Sequence, residues 1–432
     1  MNISNIIDIV KSQLIQHLSL VFIGNIFGAG MGFLAVLIVS RELTVNDFGL
    51  FNMAISVILI TSRLSSLGMD TTMIKFTSSY LVMKKKAEAN YVFRTIFLAR
   101  IIISSLIAAV LFSTADALST KIFHQSNLTS LLKLAAFGGL IISILNNFKS
   151  VLHAYQLFRK SVILQLFVDF SKLCVVVLLT FYLKMSAFTA VAIFAFMPLL
   201  GITLGFQKTH YELFSEKKPI KNLFRQLFSY SKWMFISNIC NLTLPYVGIF
   251  MISRTLGYEA TGIYGLALNL AYIFPIVIYS LYSVLLPKVS RFREITEFKR
   301  YIKGSLKVSF GLGIFIIPFL FFSHSLIHFF FGPRYLGSVP VFNWFLLGYT
   351  VLIIITTIQV ALHSINKPYI IAMVDIVSLL AMIFGCYILI PLLGVIAPAI
   401  IMFIINMSNL GFLSIYTFKQ ISSGVVTFQN VD

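Results

Sequence analysis

The sequence predicts an all-α polytopic membrane protein, with twelve transmembrane helices in two six-helix lobes related by a parallel repeat. Three observations predict it. Hydrophobic residues make up 59% of the 432-residue chain and charged residues only 11%, against about 25% charged in an ordinary soluble domain. The apolar residues gather into runs of roughly 20, the length that crosses a hydrocarbon core about 30 Å thick. A stretch of the first half also recurs in the second. A soluble enzyme of this length needs polar surface for two or three domains. The 33 Lys and Arg and 14 Asp and Glu are too few to provide it. The runs do not alternate with period 2, so helices rather than a barrel are expected.

In chain order, the expected spans are 16–40, 48–69, 93–114, 128–150, 162–183, 187–206, 233–254, 262–286, 305–329, 341–363, 369–390 and 392–417. Lys184-Met185-Ser186 separates the fifth and sixth, and the last two part around Pro391. Residues 1–14 place Ile3, Ile6, Ile7, Val10 and Leu14 at helical spacing, the pattern of an amphipathic helix on the inner face. The expected domains are that segment, a first lobe over 15–206, a linker over 207–232, a second lobe over 233–419 and a tail over 420–432. No cleavable signal peptide is expected, because the first apolar run is too long and lacks a small-residue cleavage site.

The net charge of +19 does not call for nucleic acid in such a chain. Of the 33 Lys and Arg, 23 fall in segments, or at the span edges beside them, on one side of the twelve spans and 5 on the other. The positive-inside rule then places both termini in the cytoplasm. The three cysteines, Cys174, Cys240 and Cys386, lie in apolar runs with no metal-ligand spacing. Neither a metal site nor a cofactor is expected.

The repeat is read by aligning the first span with the seventh. Asn25-Ile26 meets Asn238-Ile239, Ser40-Arg41 meets Ser253-Arg254, Leu43 meets Leu256, Gly49 meets Gly262 and Ala54 meets Ala267, all without a gap. An even number of spans separates the copies, so their common axis runs along the membrane normal.

No G-x-x-x-x-G-K-[ST] loop, H-E-x-x-H or G-x-S-x-G motif occurs. ATP binding and covalent catalysis therefore have no support, and transport driven by an ion gradient, the membrane potential or a substrate gradient is the reading that remains, unless a partner supplies ATP. What stands out is charge inside apolar runs: Arg63, Arg100, Lys133, Asp169, Lys172, Lys307 and Asp375. Such charge costs about 2.5–3.5 kcal/mol at the bilayer centre, so it faces a bundle interior, faces water or snorkels. Lys133 and Lys307, near span ends, read as snorkelling. Arg63, Arg100, Asp169, Lys172 and Asp375 are the candidates for lining a polar cavity, with an internal ion pair as the competing reading for Asp169 and Lys172. Five cations against two anions favour an anionic ligand. Arg41 and Arg254, at equivalent outer ends, are candidate gate or inter-lobe residues, with interfacial anchoring as the alternative. Gly28, Gly32 and Pro245 are candidate hinges, although Gly28-x-x-x-Gly32 also fits close helix packing.

The stretch Ser40-Arg41-Glu42-Leu43-Thr44-Val45-Asn46-Asp47-Phe48-Gly49-Leu50-Phe51, followed by Leu67-Gly68-Met69, resembles the opening of bacterial polysaccharide flippases of the Wzx type. Gly262-Ile263-Tyr264-Gly265-Leu266-Ala267, Leu286-Pro287, Phe331-Gly332-Pro333-Arg334-Tyr335, Leu362-His363-Ser364-Ile365-Asn366-Lys367-Pro368 and Leu393-Gly394-Val395-Ile396-Ala397-Pro398 are similar to later parts of the same family. The resemblance implies a MATE-like fold of the MOP superfamily, with two lobes around a central, often cationic cavity. It implies flipping of undecaprenyl-diphosphate-linked oligosaccharide units across the bacterial inner membrane, for O-antigen or capsule assembly. It also implies partnership with membrane lipids and with the polymerase and chain-length machinery, and coupling to H+ or Na+. The cavity role passes to Arg63 and Arg100, and the bend of the first span to Gly28 and Gly32. The alternative is an ion-coupled multidrug or metabolite antiporter of the same superfamily. A membrane-embedded glycan polymerase or ligase would need a large outer loop, which is absent.

Overall fold

A computed structural model describes residues 3–182, 184–208, 223–272, 274–275, 278, 295–364 and 368–422. The side chains before Ile23, most of the expected linker 207–232, Leu286-Pro287, Asn366-Lys367 and the tail from 423 onward lie outside the described residues.

Every described element is a helix. They are α1 (Ile3–Glu42), α2 (Val45–Leu64), α3 (Met69–Val82), α4 (Lys86–Ala117), α5 (Leu128–Ala154), α6 (Phe158–Tyr182), α7 (Ala187–Phe196), α8 (Pro198–Lys208), α9 (Leu223–Thr255), α10 (Gly257–Ala271), α11 (Ile295–Phe331), α12 (Ser338–Ser364), α13 (Pro368–Leu393) and α14 (Ala397–Ser422). Each expected apolar run overlaps a helix, or a pair in the case of α7 and α8, where the residues are described; most of 273–286 lies outside the described residues. Among the described residues, nine stretches are long and apolar enough to cross a membrane, and the last, Tyr369–Lys419, holds two helices. This is a multi-pass membrane protein; a count of twelve spans is not reproduced by that measure.

The breaks follow local chemistry. Pro198 opens α8 where its missing N–H is least costly. Ser186 caps α7 by accepting from Thr189 N, while Thr189 Oγ1 accepts from Ser186 N. Two boundaries differ from expectation. The expected amphipathic segment and first span run on as one helix, because no proline or cap interrupts residues 3–42. Pro391 lies inside α13, and the chain turns instead at Gly394, whose φ of +65 suits a residue without a Cβ. The sequence also conceals α3, which starts after the left-handed pair Leu67 and Gly68.

The described chain divides into two compact units. One comprises Met1–Glu42 and Ala54–Phe235, the other Leu43–Met53 and Ile236–Asp432. Leu43–Met53 belongs to the second unit although it lies between two segments of the first in the chain.

In the first unit, Phe93, Phe97 and Phe148 pack ring against ring at 5.5–6.5 Å, among Met73, Leu145, Val151 and Leu164. In the second, Val351, Ile355, Ile371, Val374 and Leu413 join α12, α13 and α14. The repeat reappears there as local geometry. Ser40 Oγ donates to Leu37 O at 2.8 Å, and Ser253 Oγ donates to Phe250 O at 2.9 Å. Gly49 abuts the carbonyl of Tyr258, while Gly262 abuts the carbonyl of Val45, so equivalent glycines make reciprocal backbone contacts that leave no room for a Cβ. Close beside them, Asn269 Nδ2 donates to Asn52 Oδ1 at 2.7 Å.

Candidate functional site

Two polar chains cross the helices of the first unit, meeting at adjacent residues of α5. The first joins α3, α4 and α5. Arg100, 1% exposed, donates from Nη2 to Asp70 Oδ1 at 2.8 Å and from Nη1 to the Ser143 carbonyl at 3.2 Å. Ser150 Oγ donates to the same Asp70 oxygen at 2.9 Å. The second joins α5 to α6. Lys149 Nζ donates to Gln165 Oε1 at 2.7 Å, Gln165 Nε2 to Asp169 Oδ2 at 2.7 Å, and Lys172 Nζ to Asp169 Oδ1 at 3.0 Å. Gln165, Asp169 and Lys172 share one face of α6 because three and four residues bring side chains into register. Lys172 also stands 5.0 Å over the Phe194 ring of α7.

Gly28 explains how α1 approaches this face. A Cβ there would lie 3.0 Å from Asp169 Oδ2, and one on Gly24 would strike Val162, whereas Gly32 has open space. Close packing therefore runs through Gly24-x-x-x-Gly28, not the expected Gly28-x-x-x-Gly32. Helix α1 passes through all four of its central glycines unbroken.

The charges are unevenly compensated. Arg100 is balanced by Asp70 and Lys172 by Asp169. Lys149 has a neutral amide as its hydrogen-bond acceptor, and it feels Asp169, Arg63 and Asp70 electrostatically. The neighbourhood thus holds four basic residues (Arg63, Arg100, Lys149, Lys172) and two acidic ones (Asp70, Asp169).

The expected site residues distribute as follows. Arg63 is exposed in the last turn of α2. Arg100 is buried inside the bundle and paired with Asp70. Asp169 and Lys172 form the internal pair. Asp375, 4% exposed, sits in the second unit on α13, within electrostatic range of Cys240. Arg41 and Arg254 are exposed at the ends of α1 and α9. Pro245 lies within α9 without ending it, and its carbonyl accepts from Tyr264 Oη at 3.1 Å. Lys133 does not simply snorkel: it pairs with Asp116 at 3.1 Å.

Asp70, Lys149, Ser150 and Gln165 were not among the residues singled out from the sequence. Asp70 looked like part of an inner loop because α3 has weak hydropathy, and Lys149 was counted with the inner segment because it lies one residue from the expected end of its span, whereas α5 extends to Ala154. The available signal was a lysine beside Ser150, on the polar stripe Ser143, Asn147, Ser150 of an otherwise apolar run.

With this geometry in place, comparison with known proteins is informative. Residues 14–293 match the model of the polysaccharide biosynthesis protein family. The chain belongs to that family. A protein of Shigella flexneri described as an O-antigen transporter is 24% identical over 179 residues, which is 41% of this chain and 43% of that one. The chain therefore spans less than half of the curated relative it matches. Solved structures share the fold at low identity. An inward-facing MATE-family multidrug resistance transporter of the MOP superfamily has a TM-score of 0.75 at 12% identity, covering 91% of this chain and 95% of its own. The lipid II flippase MurJ, inward closed, has a TM-score of 0.70 at 17% identity, covering 93% and 87%. A MOP transporter from Pyrococcus furiosus, described as having a binding pocket of reversed polarity, has a TM-score of 0.68 at 11% identity, covering 95% of each chain. These findings bear out the Wzx-type, MATE-like resemblance. The proteins matched are transporters and flippases, not enzymes.

Proposed function

We propose that this family member flips undecaprenyl-diphosphate-linked oligosaccharide repeat units from the inner to the outer leaflet of the bacterial cytoplasmic membrane, for O-antigen or capsule assembly. The observation that carries the reading is the excess of basic over acidic residues around Lys149, on an apolar helix of a chain of the polysaccharide biosynthesis family. A sugar diphosphate crossing lipid unaided loses its hydration at a cost of several kcal/mol or more. A polar, positively biased path returns part of that interaction, while the prenyl tail stays in lipid.

In this reading Lys149 and Arg63 contact the diphosphate, and Gln165 and Asp169 orient Lys149. Arg100 and Asp70 hold the helices that carry them. Direction comes from a difference in head-group affinity between inward and outward states. Alternating access, both termini in the cytoplasm, coupling to H+ or Na+, and hand-over to the polymerase and chain-length machinery belong to the same proposal. So do Arg41 and Arg254 as gate residues, Gly28, Gly32 and Pro245 as hinges, and a role for Asp375 in the second unit.

Deletion of the gene in its native host tests it. Loss of surface polysaccharide, with lipid-linked units accumulating on the inner leaflet, is expected. Intact polysaccharide with altered drug tolerance would overturn the proposal in favour of an antiporter.

A further inference from the structure

Two short turns meet at one end of the first unit. One leads from α3 into α4 through Met83-Lys84-Lys85, the other from α5 into α6 through Tyr155-Gln156-Leu157. Tyr155 Oη donates to Asn90 Oδ1 at 2.7 Å, which ties the second turn to the start of α4. Both turns close in the same way. Lys85 N donates to Tyr80 O at 2.9 Å and Leu157 N to Leu152 O at 2.8 Å, each across a left-handed residue, Lys84 or Gln156, with φ of +57.

The two turns present one surface. Lys84, Lys85, Lys86, Arg159 and Lys160 are all exposed, whereas Glu88, the acidic residue of these segments, is half-buried. Among the cations stand exposed apolar side chains, Met83 at 57% and Leu157 at 37%. Tyr80, Tyr91 and Tyr155 lie half-buried at the same end, packed against the core of the unit. Helices α4, α5 and α6 are each long and apolar enough to cross a membrane. The turn that joins α5 to α6 therefore sits at a membrane boundary, the start of α4 sits beside it, and the tyrosines mark the headgroup level.

Helix stability does not account for this pattern. Lys85 and Lys86 stand at the start of α4, and Arg159 and Lys160 in the first turn of α6, where the helix dipole disfavours cations. Cations that orient a chain in the membrane need no exposed Met or Leu beside them. We infer that the paired turns form a binding site for the headgroup of an acidic phospholipid. Its phosphate meets the ammonium and guanidinium groups, while Met83 and Leu157 enter the boundary of the acyl chains. A free phosphate ion would use the cations and leave the apolar tips in water. The site serves bulk lipid, apart from the transported substrate.

Native mass spectrometry of the delipidated full chain in detergent, titrated with phosphatidylglycerol or with phosphatidylcholine, tests it. The native chain should bind phosphatidylglycerol the more tightly. Lys85→Gln with Arg159→Gln removes one cation from each turn. It should weaken phosphatidylglycerol binding by about fivefold for each, the factor expected for one basic residue near an acidic surface, and leave phosphatidylcholine binding unchanged. Should that variant not fold, Lys160→Gln alone should weaken it about fivefold. Lys121→Gln with Lys184→Gln, exposed residues beyond the opposite ends of α4 and α6, removes the same charge and should bind as the native chain does. Equal binding of the two lipids, an unchanged affinity in the turn variant, or an equal loss in the distant one would overturn the inference. Undecaprenyl diphosphate displacing phosphatidylglycerol one for one would also overturn it, by assigning the surface to substrate.

Discussion

Replacing Asp70 with Ala separates a scaffold role for Arg100 from a role in contacting substrate. Asp70 receives two of the hydrogen bonds that cross the first unit, from Arg100 Nη2 at 2.8 Å and from Ser150 Oγ at 2.9 Å. Its loss leaves a guanidinium that is 1% exposed with only the Ser143 carbonyl as a protein partner. Breaking a buried ion pair from one side costs about 3–5 kcal/mol, because the remaining charge is uncompensated. Replacing both partners with apolar groups of similar size is often neutral. Asp70→Ala should therefore melt well below the native chain, and Asp70→Ala with Arg100→Met should recover most of the loss. The coupling between the two sites should reach about 2 kcal/mol, within the range for residues in contact. Thermal unfolding of purified protein in detergent measures it, with surface polysaccharide in the complemented deletion strain as the second readout. If Asp70→Ala melts like the native chain yet abolishes export, Arg100 serves the substrate and the reasoning fails. A double variant as unstable as the single would equally refute it.

Three further outcomes follow from the same structure. Lys149→Gln should impair polysaccharide export while membrane protein level holds, and Lys149→Arg should retain it; export unaffected by Lys149→Gln removes this lysine from the proposed path. Gly49→Ala, whose Cβ would overlap the Tyr258 carbonyl, should destabilise by about 1–3 kcal/mol through overpacking. Gly32→Ala, with open space around it, should be neutral or gain up to about 1 kcal/mol of helix propensity; melting temperatures that do not differ in this order contradict the packing. Gly28→Ala should displace Asp169 Oδ2 and weaken its bonds to Gln165 and Lys172, lowering export as Lys149→Gln does, whereas Gly30→Ala, facing open space, should leave export unchanged.

The sequence by itself determined the fold class, because a chain with so little charge can only be stable where lipid replaces water, and lipid admits only helices or closed barrels. It located the apolar helices, though not α3, through runs of hydropathy, and it revealed the duplication through residues that keep one spacing. Those signals are local or periodic, so one strand of text carries them. It also marked Arg100, Asp169 and Lys172 as misplaced charge, and the pair on α6 was legible because side chains three residues apart lie on one face of a helix of 3.6 residues per turn. The partners were a different matter. Arg100 meets Asp70 thirty residues away, and Lys149 meets Gln165 across two helices; no helical period links such positions. Helix rotation decides which side chains face each other, and packing sets rotation: Gly24 and Gly28, rather than Gly32, face α6 because that is where α1 meets a neighbour. Likewise, only the folded chain shows that Leu43–Met53 packs with the second unit, since shape-matched backbones at Gly49 and Gly262, not hydropathy, hold it there.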